Sequence, residues 1–248
     1  NGVFSNYVND ALREGDSIEV SVPEGRFVLN DNPVANYCAF VAGSGITPLM
    51  SIVSDVLSKN KSSVFIMGYG NKTKASTMFT SDIDELKSLY PKRFYCYNIY
   101  SKENNPEAAF GRIDSNFINY ILKQHSDVIF EKVLLCGPEK MIEDSKETLE
   151  KANYSKDKVL YELFYSKPAV EDNEKGKGSS AKIIYDEETL DLEVPEKMTI
   201  LDAALQKNID VPYSCQGGVC SSCIAKITSG TATMIQNNIL TDSEVEEG

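Results

Sequence analysis

The chain contains no tryptophan and one histidine, and it is short of positive charge: 25 Lys and Arg stand against 37 Asp and Glu, a net charge of −12. A lone His125 excludes any site built on several histidines, which removes most zinc hydrolases. The negative balance argues against nucleic acid as a partner, because its phosphates would be repelled. No run approaches the roughly 18 apolar residues of a membrane span. The opening Asn1-Gly2-Val3-Phe4-Ser5 lacks the basic and apolar regions of a secretory signal. The expectation is a cytoplasmic protein with no membrane and no nucleic-acid partner.

The six cysteines do not read as a disulfide framework, which a cytosolic chain would not keep. Cys38, Cys96 and Cys136 are scattered among apolar residues and read as buried thiols. Cys215, Cys220 and Cys223 are clustered and need a separate explanation.

The 248 residues are enough for two ordinary domains. Ser166 to Ser180 is charged, rich in Gly, Ser and Pro, and has almost nothing to bury, so it reads as an extended linker. Before it, strand-like and helix-like segments alternate. Strands are expected at Tyr37–Ala42, Ser63–Gly68, Phe94–Tyr100, Lys132–Cys136 and Tyr161–Tyr165. Helices are expected at Thr47–Leu57, Ser81–Leu89, Asp114–Lys123 and Met141–Lys151, with Thr47 as N-cap and Pro48 at the first helical position. Such alternation implies an α/β fold, a doubly wound parallel sheet with helices on both faces. Residues 1–35 do not fit it. Ser17–Val22 and Arg26–Leu29 read as short strands around Pro23-Glu24-Gly25, the remnant of a preceding β domain.

After the linker, Lys182–Tyr185 and Leu190–Val194 form a hairpin. A helix Thr199–Lys207 follows, with Thr199 and Asp202 as a capping box, then the cysteine loop, a strand Ile224–Ile227, and a helix start at Thr241-x-x-Glu244. This is a β-grasp order. The expected layout is 1–35, a nucleotide-binding domain over 36–166, a linker over 167–180, and a small module over 181–248. From Ser180 onward there are 4 Lys and no Arg against 12 Asp and Glu, so that module holds −8 of the charge. Such a surface would steer it toward a basic partner face; charge serving solubility alone is the other reading.

Gly43-Ser44-Gly45-Ile46-Thr47-Pro48, between a buried strand and a helix, is the pattern of a phosphate-cradling turn. An acid about 20 residues on would grip the ribose of NAD. Here the next strand ends in Gly68-Tyr69-Gly70-Asn71-Lys72, without a carboxylate. Lys72, Lys74 and Lys102, the last after Ser101, could meet a 2′-phosphate and favour NADPH, or could be solvated surface.

Pro212-Tyr213-Ser214-Cys215-Gln216-Gly217-Gly218-Val219-Cys220-Ser221-Ser222-Cys223 has the Cys-x4-Cys-x2-Cys spacing of a plant-type [2Fe–2S] loop. Thiolates offset the ferric charge, and the glycines let backbone N–H groups turn toward the sulfurs. Zinc is the alternative, but it usually brings a nearby His or second Cys pair, and neither is present.

Gly-Ser-Gly-Ile-Thr-Pro (43–48), Tyr-Gly-Asn-Lys (69–72), Gly-Arg-Ile-Asp (111–114) and Cys-Gly-Pro-Glu-Lys-Met (136–141), followed by the cysteine loop, resemble the ferredoxin–NADP reductase superfamily with a C-terminal plant-type ferredoxin domain. The resemblance covers essentially the whole chain and implies site residues. Gly43, Gly45, Thr47 and Pro48 would bind the coenzyme pyrophosphate. Cys136, Gly137 and Pro138 would lie beside the nicotinamide, with Cys136 near the hydride-delivering carbon. Glu162 and Phe164 match the family's Glu-x-Phe strand near the flavin, and Gly2, Ser5 and Asn6 its Gly-x-x-Ser segment on the FAD pyrophosphate. The family's Arg-x-Tyr-Ser flavin motif is not in this sequence. Its fourth cluster cysteine follows a Leu-Thr-Asp-x-Glu-Val-x-Glu-Gly segment, here 240–248, so the fourth ligand is expected just past Gly248. The implied function is electron transfer from NAD(P)H through FAD and a [2Fe–2S] cluster to a protein acceptor, an oxygenase component such as a phenylacetyl-CoA epoxidase, docking on the acidic ferredoxin domain. The rival is a ferredoxin-like carrier whose reductase half is degenerate.

Overall fold

The computed structural model describes residues 3–20, 25, 27–29, 35–163, 178–186, 188–196, 198–209, 211–213, 218, 222–237 and 239–248. The linker and most of the cysteine loop lie outside them.

The strand β1 (Asn36–Ala42) is apolar at almost every position and buried on both faces, as a central parallel strand must be. It is followed by helix α2 (Ile46–Lys59), β2 (Phe65–Asn71), α3 (Thr80–Leu89), β3 (Phe94–Tyr100), a two-residue β4 (Ala109–Phe110), α4 (Ser115–Gln124), β5 (Phe130–Gly137), α5 (Glu139–Lys151) and β6 (Val159–Leu163). All six strands run parallel in the order β4-β3-β2-β1-β5-β6. The order reverses at β1, between β2 and β5, and that is where open α/β sheets hold their ligands.

Alternation along β1 sends Tyr37, Ala39 and Val41 into one apolar cluster, and Cys38 and Phe40 into the other. The first cluster is completed by Leu49, Val53 and Leu57 of α2 and Ile83 and Leu86 of α3. The second is completed by Phe117, Ile118 and Ile121 of α4 and Ile142 and Leu149 of α5. Two helices therefore cover each face. Arg93 closes the C-terminal end of α2 by donating to the carbonyls of Leu57 (3.0 Å), Asn60 (2.5 Å) and Ser63 (3.3 Å). The lone His125 is accounted for here. It caps α4 and pairs with the Tyr97 hydroxyl at 2.8 Å, and partial burial lowers its pKa.

In the C-terminal part, β7 (Ser179–Tyr185) and β8 (Glu188–Val194) form an antiparallel hairpin, and α6 (Ile200–Gln206) packs against it through Leu192, Val194, Ala203 and Ala204. The Thr199 hydroxyl accepts from Asp202 N at 3.0 Å and caps α6. At α7 (Asp242–Glu246), Thr241 and Glu244 form a full capping box.

Several expectations need correction. Helix α2 begins at Ile46 with Gly45 as N-cap, so Thr47 and Pro48 sit inside the first turn. The Thr47 hydroxyl donates to the Ser44 carbonyl (2.9 Å) instead of capping the helix. Residues 17–20 and 27–29 form no strand, although Phe27 and Leu29 pack on the first cluster. An unforeseen helix, α1 (Val3–Asp10), precedes them. Ile224–Ile227 is not a strand either. Ser179 and Ser180, expected in the linker, belong to β7. No helix among the described residues is long and apolar enough to cross a membrane.

Candidate nucleotide and cluster sites

The parallel register brings the predicted residues to one edge of the sheet. Along the C-terminal ends, β3 leads to Ser101 and Lys102, β2 to Asn71 and Lys72, β1 to Gly43–Gly45, β5 to Cys136, Gly137 and Pro138, and β6 to Glu162. A row of strand ends spanning the reversal point suits an extended dinucleotide.

At the centre, Gly43 takes φ +55, a left-handed conformation that suits glycine, and Gly43–Gly45 makes one tight turn into α2. Gly45 lies against the backbone of β5. A Cβ there would strike the Cys136 carbonyl group and approach Gly137 N to 3.0 Å. The two loops thus touch through backbone, and any side chain at position 45 would drive them apart. No side chain caps α2; the Ile46 N–H is taken by the Gly43 and Ser44 carbonyls and Pro48 has none, so in the first turn the N–H group of Thr47 is left for an anion. Beneath the turn lies Tyr69, fully buried, with its hydroxyl 3.3 Å from the Gly43 carbonyl and 3.4 Å from that of Met78. Sequence reasoning places this tyrosine within a motif but gives it no role.

At the β2–β3 end, Ser101 N donates to the Asn71 carbonyl (3.0 Å) and Lys102 N to the Lys72 carbonyl (2.9 Å), which sets the two lysines side by side. Neither has an ion pair among the described residues. Lys74 differs, because its ammonium pairs with Glu107 at 3.2 Å and its backbone N–H holds the Glu103 carboxylate at 2.9 Å. That bond to Glu107 raises the Lys74 pKa. Of the three expected cations, Lys74 is already engaged.

Cys136 aligns with Val41 on one side and Glu162 on the other. Its side chain is fully buried in the first cluster, and burial, with the Glu162 carboxylate adding to it, pushes the thiol up to about 12. It is therefore a neutral packing group at pH 7 and neither a thiolate nor a base. Partial burial raises the Glu162 pKa. Phe164 lies outside the described residues.

Of the residues expected on the FAD pyrophosphate, Ser5 and Asn6 sit on the exposed helix α1, where the Ser5 carbonyl accepts from the Asn9 side chain at 2.8 Å; Gly2 lies outside the described residues. Of the cluster ligands, Cys215 and Cys220 lie outside the described residues, whereas Cys223 is described and half-buried. Gly218, between them, has φ +66 and no room for a Cβ against the Gln236 carbonyl group, a fit to a loop whose backbone must turn inward. Past Cys223, Ile227 N donates to the Gly248 carbonyl at 3.1 Å.

Two family models match: the oxidoreductase NAD-binding domain over residues 40–147, and the 2Fe-2S iron-sulfur cluster binding domain over 183–248. Among curated proteins, the chain is 32% identical to a component of the 1,2-phenylacetyl-CoA epoxidase of Escherichia coli, with all of this chain and 72% of that protein aligned. It is 27% identical to the ferredoxin reductase component of 3-ketosteroid-9-alpha-monooxygenase from Rhodococcus rhodochrous, covering 70% of it. Among solved structures, an intact type IV self-sufficient cytochrome P450 monooxygenase matches with a TM-score of 0.62 at 22% identity, over 97% of this chain and 28% of the other. The cytochrome b5 reductase domain of Ulva prolifera nitrate reductase matches at 0.53 and 22% identity, over 64% of each. The last two speak for the fold alone. The chain belongs to the ferredoxin-reductase family of NAD(P)H-dependent oxidoreductases that carry a C-terminal 2Fe-2S domain, the family that includes this phenylacetyl-CoA epoxidase component.

Proposed function

We propose that this chain takes electrons from NAD(P)H and delivers them, by way of FAD and a [2Fe–2S] cluster, to an oxygenase component of the phenylacetyl-CoA epoxidase kind in the cytoplasm. The observation that carries this reading is the row of strand ends. A glycine turn against the β5 loop stands at its centre, and Lys72 and Lys102 stand at its β2–β3 end, in a chain that also bears the cysteine loop.

In this reading the N–H groups of Ser44 and Thr47 at the head of α2 take the pyrophosphate, and the Thr47 hydroxyl steadies the turn through the Ser44 carbonyl. Lys72 and Lys102, with Ser101 between their strands, take a 2′-phosphate, which favours NADPH. Gly137, without a side chain, and the compact ring of Pro138 leave a shelf for the nicotinamide, and the buried Cys136 thiol lies beside it without adding charge. Glu162, beside Cys136, stands at the end that faces the flavin. When bound, a flavin supplies the conversion of a two-electron hydride into the single electrons that a [2Fe–2S] cluster carries. Cys215, Cys220 and Cys223 would be ligands of that cluster. The module carrying it, acidic from Ser180 onward, docks on a basic face of the acceptor.

The test is reduction of a dye and of a one-electron protein acceptor by NADPH, using the full-length protein loaded with FAD and cluster. Turnover with both is expected, and removing the cluster should abolish only the second. Failure to oxidise NADPH or NADH under any of these conditions would leave the carrier-module reading in its place.

A further inference from the structure

The turn that receives the pyrophosphate is held from three directions, and only two belong to its own loop or to β5. Thr47 holds the Ser44 carbonyl from within the helix, and the Cys136 backbone presses on Gly45 from the side. The third is Tyr69, one residue before Gly70 on β2 and completely buried. Its hydroxyl proton has two acceptors at similar range, the carbonyls of Gly43 (3.3 Å) and Met78 (3.4 Å), and the Asn71 side chain also approaches the hydroxyl. The Gly43 carbonyl also accepts the backbone N–H of Ile46, so the two donors together occupy both its lone pairs.

That carbonyl matters because of peptide geometry. The described residues contain no cis peptide bond, so the Gly43 C=O and the Ser44 N–H point in opposite directions. With the carbonyl directed down toward Tyr69 and Ile46, the Ser44 N–H is directed outward, ahead of the first turn of α2. A left-handed glycine has other conformations open to it, and something outside the turn must select this one. Met78 lies in the segment that runs from Lys72 and Lys74 into α3, so the same hydroxyl joins the pyrophosphate turn to the lysine end of the site.

We infer that Tyr69 is a positioning residue: through the Gly43 carbonyl it fixes the outward Ser44 N–H that meets the coenzyme pyrophosphate, and it never touches the coenzyme itself. This rests on the Gly43–Gly45 turn being the pyrophosphate site, as proposed above. The rest of the ring is core, which Tyr69→Phe preserves.

The experiment compares wild type and Tyr69→Phe as full-length, cofactor-loaded proteins, titrating NADP+, ADP and AMP calorimetrically and measuring NADPH turnover. ADP carries the pyrophosphate, and AMP does not. The expected result is an about fivefold weakening of NADP+ and ADP, the size of one lost hydrogen bond, with AMP changed less than about twofold. KM for NADPH should rise by the same factor while kcat holds. A purely structural role would lower the melting temperature and leave the ADP-to-AMP affinity ratio alone. Reading the ratio on the folded fraction keeps the result decisive even if the variant is less stable. Equal ratios in the two proteins overturn the inference. If wild type itself binds no ADP, what fails is the assignment of the turn.

Discussion

In the six-stranded domain the central strands are sealed on both faces by paired helices, with side chains such as Phe40, Tyr69, Leu134 and Ile121 wholly out of water. The hairpin module, later in the chain, closes on Leu192, Val194, Ala203 and Ala204, and leaves Ile184, Ile224 and Ile235 exposed. Among the described residues so small a core is at the margin of what side-chain burial supports, and small modules of this kind draw on metal ligation. The contrast teaches that one half of the chain is a scaffold able to stand on its own packing, while the described part of the other has little core of its own.

The sharpest way to break this contrast is Cys223→Ser. The visible absorption of the cluster should vanish, and the hairpin module should lose its amide-exchange protection, while the melting transition of the reductase domain stays put. Full protection of β7 and β8 without the cluster would show that the small core suffices. Next in size is Phe40→Ala, buried among α4 and α5. It should cost about 3–5 kcal/mol in chemical denaturation of the reductase domain, whereas Ile184→Ala, two-thirds exposed on β7, should cost under about 0.5 kcal/mol.

Buried thiols give the scaffold a pH signature that the exposed module lacks. Cys136 ionises near 9 in the unfolded chain and at about 12 when folded, and burial pushes Cys38 up as well. Their contribution is complete below pH 9 and is lost as pH rises toward 12, because only the unfolded chain releases the protons in that window. The melting temperature of the reductase domain should therefore fall between about pH 9 and 10, and Cys136→Ala should flatten the fall. The smallest effects lie at the coenzyme's far end. Lys72→Ala and Lys102→Ala should each raise KM for NADPH about three- to tenfold with little change for NADH. Lys74→Ala, whose ammonium already has Glu107, should do less. Equal effects on both coenzymes would remove the 2′-phosphate reading.

The same division governs what could be read from sequence. Phe94–Tyr100 is expected and observed with identical ends, and the other strands of the sheet and its four helices are found within a few residues, because two-faced burial writes continuous apolar runs and helical stripes. The two exposed residues of β4 carry no such pattern. At the head of α2 the Thr-Pro pair points to a cap, but the Thr47 hydroxyl turns back to Ser44 and the N-cap falls two residues earlier, at Gly45. The N-terminal segment misleads most. Its alternation resembles strands, yet among the described residues no partner strand pairs with 17–20, and α1 is exposed from Phe4 onward. For the site, glycine spacing locates the turn, but the ion pair of Lys74 and the buried support from Tyr69 arise between residues far apart in sequence.

The contact between Gly45 and the backbone of Cys136 has a consequence for how this enzyme can be altered. Because any side chain at position 45 would part the two loops, the close approach at the reversal point confines that position to glycine. With the coenzyme seated as proposed, a change of coenzyme would enter through the outer strand ends at 71–74 and 101–103, and would leave the Gly43–Gly45 turn as it is.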